Sequence, residues 1–224
     1  MYPLYTNLVR SQLKNLKLLV DYLLTNNYKN IIIDNNSSYK PLLAYYESLN
    51  NSINIIRSKK NDGHMVFWKQ DKLFKKFGKG YYVVTDPDIL PIDECPMDFL
   101  SIFLNLLIKL RTLYKVGFSL KLDDIPETYP FKNKVLEWEK QFWKTKTKGG
   151  NFIADIDTTF ALYRPKINIL RYFYKGLRTD FPYQARHFGW YINPQKLTEE
   201  QVFYNKEANS SSSWNIDDNA STNF

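Results

Sequence analysis

Apolar positions along the opening of the chain repeat with two alternating periods. Leu13, Leu16, Leu19, Val20, Leu23 and Leu24 recur at helical spacing after Ser11, which predicts an amphipathic helix with a serine placed to cap its start. Asn30-Ile31-Ile32-Ile33-Asp34 then gives a short β-branched run, the pattern of a strand buried on both faces, and the following Asn35-Asn36-Ser37-Ser38 reads as a turn. The alternation continues with a helix expected over Tyr39 to Ser48, a strand over Ile53 to Arg57, a helix over Gly63 to Phe77 and a strand over Tyr81 to Thr85. Strand and helix taking turns implies right-handed crossovers and a mostly parallel sheet flanked by helices, an α/β fold of Rossmann-like character. The residues that follow each strand then gather on one edge, where such sheets bind ligands.

Beyond Leu90 the pattern changes. Phe99, Phe103, Leu106, Leu110 and Leu113 predict a long amphipathic helix, Gly117 to Leu122 a strand, and Phe152 to Tyr163 one long strand. Trp138 and Phe142 lie one helical turn apart, a spacing that favours core packing over a sugar platform. Thr198 followed by Gln201 has capping-box spacing and opens a short helix expected to run through Ala208. The chain thus divides into one domain over residues 1–208, with a first part to about 95 and a second from about 96, followed by a polar Ser- and Asn-rich tail over 209–224 expected to be partly disordered.

The formal charge of +8 over 224 residues attracts polyanions generally, and a pyrophosphate, a nucleic acid and an anionic membrane all profit from that field. Many lysines sit beside asparagines, so a solvated basic surface is favoured and no nucleic-acid partner is expected, while peripheral membrane contact stays open. Cys95 is the single cysteine, which excludes an internal disulfide and fits a reducing compartment. The apolar stretch from Phe99 to Leu110 is shorter than the roughly 20 residues of a membrane span. A cytoplasmic location is the expectation.

The chemistry concentrates at Val83-Val84-Thr85-Asp86-Pro87-Asp88-Ile89. Two carboxylates flank a proline directly after an apolar strand, so two hard oxygen donors can reach one Mn²⁺ or Mg²⁺ that bridges the phosphates of a nucleotide diphosphate. A polar strand-end turn without metal is the plainer alternative. The two histidines, His64 and His187, lack a metalloprotease pattern, and the sequence has no Gly-x-Ser-x-Gly elbow, Walker loop or Gly-x-Gly-x-x-Gly fingerprint.

Together, Ile33-Asp34-Asn35-Asn36-Ser37, Asn61-Asp62-Gly63-His64 and Thr85-Asp86-Pro87-Asp88 resemble the blocks of GT-A-fold glycosyltransferases, the family-2-like group in particular. Gly117 to Asp124, Ile156 to Pro165 and Pro182 to Tyr191 resemble segments of small bacterial and viral members of that group, and the likeness runs from about Tyr2 to Trp214. The resemblance implies a GT-A fold and transfer of a hexose from a nucleotide-diphosphate sugar, UDP-sugar favoured, to a glycan or lipid-linked acceptor. It places Thr6, Asn7, Arg10 and Asp34 on the nucleotide, and Asp86 and Asp88 on the metal and nucleotide-sugar. His187 completes the metal shell, or else packs as a neutral ring beside Trp190 and Tyr191. Arg186 or Arg178 would clamp phosphate. The opening strand, Tyr2 to Asn7, is shorter than in that family.

An inverting transfer needs a carboxylate to take the proton of the acceptor hydroxyl. Asp157 is the first candidate: the Ala154-Asp155-Ile156-Asp157 alternation puts Asp155 and Asp157 on one strand face, a cleft face or a solvent face alike. Glu199 and Glu200 are weaker candidates, explained by the dipole of the helix they open. A retaining mechanism needs no base. Trp190, Tyr191 and Trp214 are candidate acceptor-side walls. A sugar nucleotidyltransferase and a non-catalytic nucleic-acid-binding protein are the rival functions.

Overall fold

The computed structural model describes residues 4–8, 13–49, 52–167 and 175–207. Among them nine strands join in one sheet: β1 (Leu4–Leu8), β2 (Asn30–Asp34), β3 (Asn54–Arg57), β4 (Tyr82–Thr85), β5 (Ile89–Pro91), β6 (Lys115–Leu120), β7 (Phe152–Asp155), β8 (Ala161–Tyr163) and β9 (Lys175–His187). The helices are α1 (Leu13–Thr25), α2 (Lys40–Ser48), α3 (Val66–Lys69), α4 (Asp71–Phe77), α5 (Phe99–Lys109), α6 (Lys132–Glu139) and α7 (Glu199–Glu207). The spatial order is β3-β2-β1-β4-β8-β6-β9-β5, with β7 on β9 as well.

The β3-β2-β1-β4 part is parallel throughout, as the alternating periods require. From β4 onward the sheet is mixed: β8 runs antiparallel between β4 and β6, β9 lies parallel to β6, and β5 and β7 are antiparallel to β9. Period-two alternation sorts the side chains between the two faces of the sheet. Val83 of β4 packs with Leu19 and Leu23 of α1 and Phe99 and Phe103 of α5, whereas Tyr82 and Val84 pack with Phe67, Trp68 and Leu73 on the opposite face. Ile32 of β2 is buried against Leu16, Val20, Leu42 and Tyr46. Helices therefore cover both faces; the marked Leu16, Leu19, Val20 and Leu23 of α1 and Phe99 and Phe103 of α5 are buried, whereas Leu24 is exposed and α5 ends at Lys109, before Leu110 and Leu113.

Two expected elements are each divided in two. The helix expected over Gly63 to Phe77 is two helices, broken at Gln70, whose backbone is extended at φ −90° and ψ 95°. The side chain of Gln70 explains the break, since its amide donates to Ser58 Oγ at 2.9 Å and to Asp62 Oδ2 at 2.8 Å. The strand expected over Phe152 to Tyr163 is likewise two, β7 and β8, because β7 pairs with β9 and β8 with β4 and β6. Asp155 ends β7 and Asp157 lies in the loop beyond it, so the shared strand face expected for that pair does not form. The capping box opening α7 does form, with Thr198 N donating to Gln201 Oε1 at 2.8 Å and Gln201 N to Thr198 Oγ1 at 3.3 Å. Ala208 and the tail over 209–224 lie outside the described residues. No described helix is long and apolar enough to cross a membrane.

Candidate active site

The strand order reverses between β1 and β4: β1 to β3 step one way, and β4 returns on the other side of β1. A crevice opens at such a switch point beyond the carboxyl ends of the strands. Register puts Thr6 of β1 opposite both Ile32 of β2 and Thr85 of β4, with Asn7 opposite Ile33. The backbone of Thr6 and Asn7 thus borders the Asp86 turn. Their side chains, and Arg10 as a whole, lie outside the described residues.

Asp86, Pro87 and Asp88 turn the chain from β4 into β5, where Thr85 Oγ1 donates to the Asp86 carbonyl at 3.0 Å. β5 then pairs antiparallel with the far end of β9, Ile89 opposite His187, and Phe188 N donates to the Asp88 carbonyl at 2.8 Å. That pairing carries His187 from a distant part of the sequence to Asp88, with Nε2 3.8 Å from Asp88 Oδ2. The imidazole also stacks on Trp190, centroids 4.7 Å apart and planes 20° apart, the packing that the second alternative for His187 expects. Its Nδ1 is buried without a hydrogen-bond partner. Gly189 leaves the room for this arrangement: a Cβ there would stand 2.6 Å from His187 Cε1 and 3.3 Å from Asp88 Oδ2.

Asp86 is the electrostatically strained member. Its Oδ2 accepts from Thr158 Oγ1, while its Oδ1 is buried with no partner. Burial first, then the negative charges of Asp88 and Asp157, hold its pKa well above the usual carboxylate value, against the pull of the Thr158 hydroxyl. Asp157 itself is exposed; its Oδ1 accepts from Thr158 N at 2.8 Å. The loop between β7 and β8 therefore brings Asp157 into the field of Asp86, and Thr158 forms the contact between them.

Asp34 sits at the end of β2, fully buried, with its charge answered. Arg57 Nε donates to its Oδ2 at 2.9 Å and Ser37 N to its Oδ1 at 3.2 Å. The next residue, Asn35, knits the loops after β2 and β3 together, donating to Asn61 Oδ1 at 2.7 Å and Gly63 O at 3.0 Å and accepting from Asp62 N at 2.8 Å. The Asn61-Asp62-Gly63 turn thereby acquires a structural function.

The other candidates scatter. Arg186 neighbours His187 in sequence but pairs with Asp124, Nε to Oδ2 at 2.7 Å, alongside Tyr191, whose hydroxyl donates to the same carboxylate. Arg178 is buried in an ion pair with Glu139, Nη1 to Oε2 at 2.7 Å, and stacks on Phe142 at 3.9 Å. It is committed to the underside of β9. Glu200 caps a helix other than its own: its carboxylate accepts from Leu13 N and, at 3.3 Å, from Lys14 N at the start of α1. Trp138 is exposed, its ring 6.1 Å from that of Phe142. Trp214 lies outside the described residues.

The donor set suits an open cation site. Among the described residues no three His, Cys, Asp or Glu side chains close into a metal cage. A Mg²⁺ or Mn²⁺ that also binds substrate phosphates needs only one or two carboxylates, and Mn²⁺ accepts imidazole. Asp88 Oδ2 and His187 Nε2 lie 3.8 Å apart, and the partnerless oxygen of Asp86, two residues before Asp88, is the kind of buried polar atom that a bound ion satisfies. Thr158 and Gly189 were not legible as site residues, since neither belongs to a chemical motif. The Asp-Thr-Thr run of residues 157–159 was a weak signal, three small polar residues inside an otherwise strand-like stretch.

No family model and no curated protein matches the sequence. Among solved structures the fold is similar to that of the mannosyltransferase PcManGT from Pyrobaculum calidifontis, determined in complex with GDP-Man and Mn²⁺, with a TM-score of 0.48 and 9% identity over 92% of this chain. The chain spans 60% of the length of that protein.

Proposed function

We propose that this chain is a metal-dependent glycosyltransferase of GT-A-like architecture that transfers a hexose from a nucleotide-diphosphate sugar, a UDP-sugar in the first instance, to a glycan or lipid-linked acceptor. The observation that carries this reading is the Asp86-Pro87-Asp88 turn at the end of β4, beside the switch point, with His187 of β9 brought to within 3.8 Å of Asp88. Strand-end acids at that place in an open α/β sheet suit a diphosphate held by a divalent cation better than they suit a folding role, because the fold leaves Asp86 Oδ1 without a partner.

In this reading Asp88 and His187 hold the Mn²⁺ or Mg²⁺, and Asp86 supports it and the nucleotide-sugar. When bound, the cation offsets the charge that develops on the departing diphosphate. The carboxyl ends of β1 and β2, with Thr6, Asn7 and Arg10, receive the nucleoside. Asp34 shapes that wall through Arg57 and the Ser37 amide. Asp157, exposed next to the acidic turn, takes the proton of the acceptor hydroxyl as the new glycosidic bond forms, if the transfer inverts. The acceptor side is built by the part of the chain after about residue 95, Tyr191 included, whereas Trp190, expected as a wall, is buried in the core against His187. Arg186, tied to Asp124 and Tyr191, orders that rim.

A sugar nucleotidyltransferase would carry a Gly-rich basic loop after β1, and Val9-Arg10-Ser11-Gln12 contains no glycine. Calorimetry with UDP and GDP, with and without Mn²⁺, tests the proposal. The wild type should bind one nucleotide only with metal, and Asp88→Ala should weaken that binding at least about 100-fold, near 2.7 kcal/mol. No binding under any of these conditions defeats the transferase reading and returns attention to a nucleic-acid partner, for which salt-dependent oligonucleotide binding insensitive to Asp88→Ala is the signature.

A further inference from the structure

We propose that Lys115, to which the transferase reading gives no part, is a positioning residue that anchors the loop from Ile156 to Thr158 from inside the protein and so sets Asp157 and Thr158 against Asp86. For its effect on turnover the proposal rests on that reading; for the loop itself it stands alone.

Lys115 opens β6, opposite Tyr163 of β8 and Gly176 of β9, and is fully buried. A lysine in the middle of a sheet needs a reason, since an ammonium taken from water costs several kcal/mol unless it is well partnered. A methionine would fill much the same space. What lysine adds is a charge and a hydrogen-bond donor, and both are directed at one place. Nζ donates to the carbonyl of Ile156 and stands 5.2 Å from the centroid of the Tyr163 ring.

That carbonyl closes the peptide unit that leads into Asp157. The chain continues directly into the contacts of the site: Thr158 N to Asp157 Oδ1, and Thr158 Oγ1 to Asp86 Oδ2. The side chain of Ile156 is clamped on the same spot. It is fully buried, and a Cβ at Gly176, the residue opposite Lys115, would come within 2.9 Å of Ile156 Cδ1. Lys115 and Gly176 therefore hold the two ends of one residue, the carbonyl by a donor and the side chain by the space left for it.

The charges around Lys115 come from every element packed on it. Burial pushes its pKa down to about 7, Asp157 and Asp155 from the end of β7 and its loop raise it, and Arg178 of β9 lowers it further. Tyr163 of β8 contributes the ring. Asp155 and Asp157 thus have the Lys115 side chain on the inner side of their loop.

Amide exchange of Thr158 and Thr159, followed by NMR together with turnover of a UDP-sugar, tests this in Lys115→Met and Lys115→Arg. In Lys115→Met, exchange of the two amides should rise about tenfold or more, and kcat should fall about tenfold or more with KM for the donor within about twofold. Lys115→Arg, which keeps a donor and a charge, should recover most of both losses. Unchanged loop exchange in a folded Lys115→Met protein overturns the proposal, as does a loss confined to KM. In the wild type a through-hydrogen-bond correlation between Lys115 Nζ and the Ile156 carbonyl carbon is expected, and its absence overturns the proposal even where Lys115→Met does not fold. A wild type that binds no nucleotide defeats the transferase reading alone, since loop exchange still decides for or against Lys115.

Discussion

The ends of β2 and β4 are two places where a strand delivers an aspartate to the same edge of the sheet, and the fold treats them oppositely. Asp34 is fully buried, yet one oxygen meets the Arg57 guanidinium and the other the Ser37 amide. Asp86 keeps a buried oxygen with no partner and has two further acids acting on it. A third acid, Glu139, resembles Asp34: it is buried but paired with Arg178. Where a charge serves the architecture, the chain supplies its counter-charge. A buried carboxylate oxygen left without a partner costs stability, because nothing in the fold offsets its loss of water; under the transferase reading a bound ligand supplies that partner.

Breaking the answered pairs should hurt most. Arg178→Met leaves Glu139 alone under β9, and loss of about 3–5 kcal/mol is expected in urea unfolding, the usual cost of removing one partner of a buried pair. A loss below about 1 kcal/mol would mean that Glu139 escapes by protonation, a route its pKa, raised mainly by burial, leaves open. Next comes Asp34→Asn, expected to cost about 1–2 kcal/mol through weaker hydrogen bonds to Arg57 and Ser37. The Arg57 side chain is 49% exposed, so the ion pair as such contributes little of this.

The smallest change in stability, and the one of opposite sign, belongs to Asp86→Asn. A carboxyl whose folded pKa lies above its unfolded value contributes stability below the unfolded value, here 3.8, and loses it as pH rises through the folded value. Above the unfolded value the Asp86 carboxyl therefore opposes folding, because ionisation is easier in the unfolded chain than in the buried turn. Asparagine removes that opposition, so thermal unfolding at pH 7 should show a midpoint equal to or above that of the wild type, with weaker dependence on pH from about 4 upward. The same substitution should weaken metal-dependent nucleotide binding about tenfold or more. A variant that is both destabilised and normal in binding would place Asp86 with Asp34 among the architectural acids and dissolve the contrast.

Much of the first half was legible along the chain. The helical repeat of Leu16, Leu19, Val20 and Leu23 marks the buried face of α1, and the Ile31 to Ile33 run marks β2, because those periods answer to local geometry alone. Asp86 and Asp88 were also legible, as acids directly after an apolar strand. The second half was less so. β9 runs through Arg178, Asp180, Gln184 and Arg186, a stretch in which no hydrophobic period marks a strand. They are strand residues because each finds its partner far away in sequence: Arg178 at Glu139, Asp180 at Lys146, Gln184 at Ser119 and Arg186 at Asp124. The break between β7 and β8 was hidden for the same reason, since β7 pairs with β9 and β8 with β4 and β6.

By itself, then, the sequence determined the alternating elements, the faces they bury and the acidic turn at the end of the fourth strand, because a hydrophobic period and a strand-end motif act over a few residues. Only the tertiary structure decided that His187 lies against Asp88, that Thr158 links Asp157 to Asp86, and that Arg178 and Arg186 are tied to acids of their own. Those outcomes depend on strand order and register, which arise when distant segments pair, and no local pattern records which segment will be the partner.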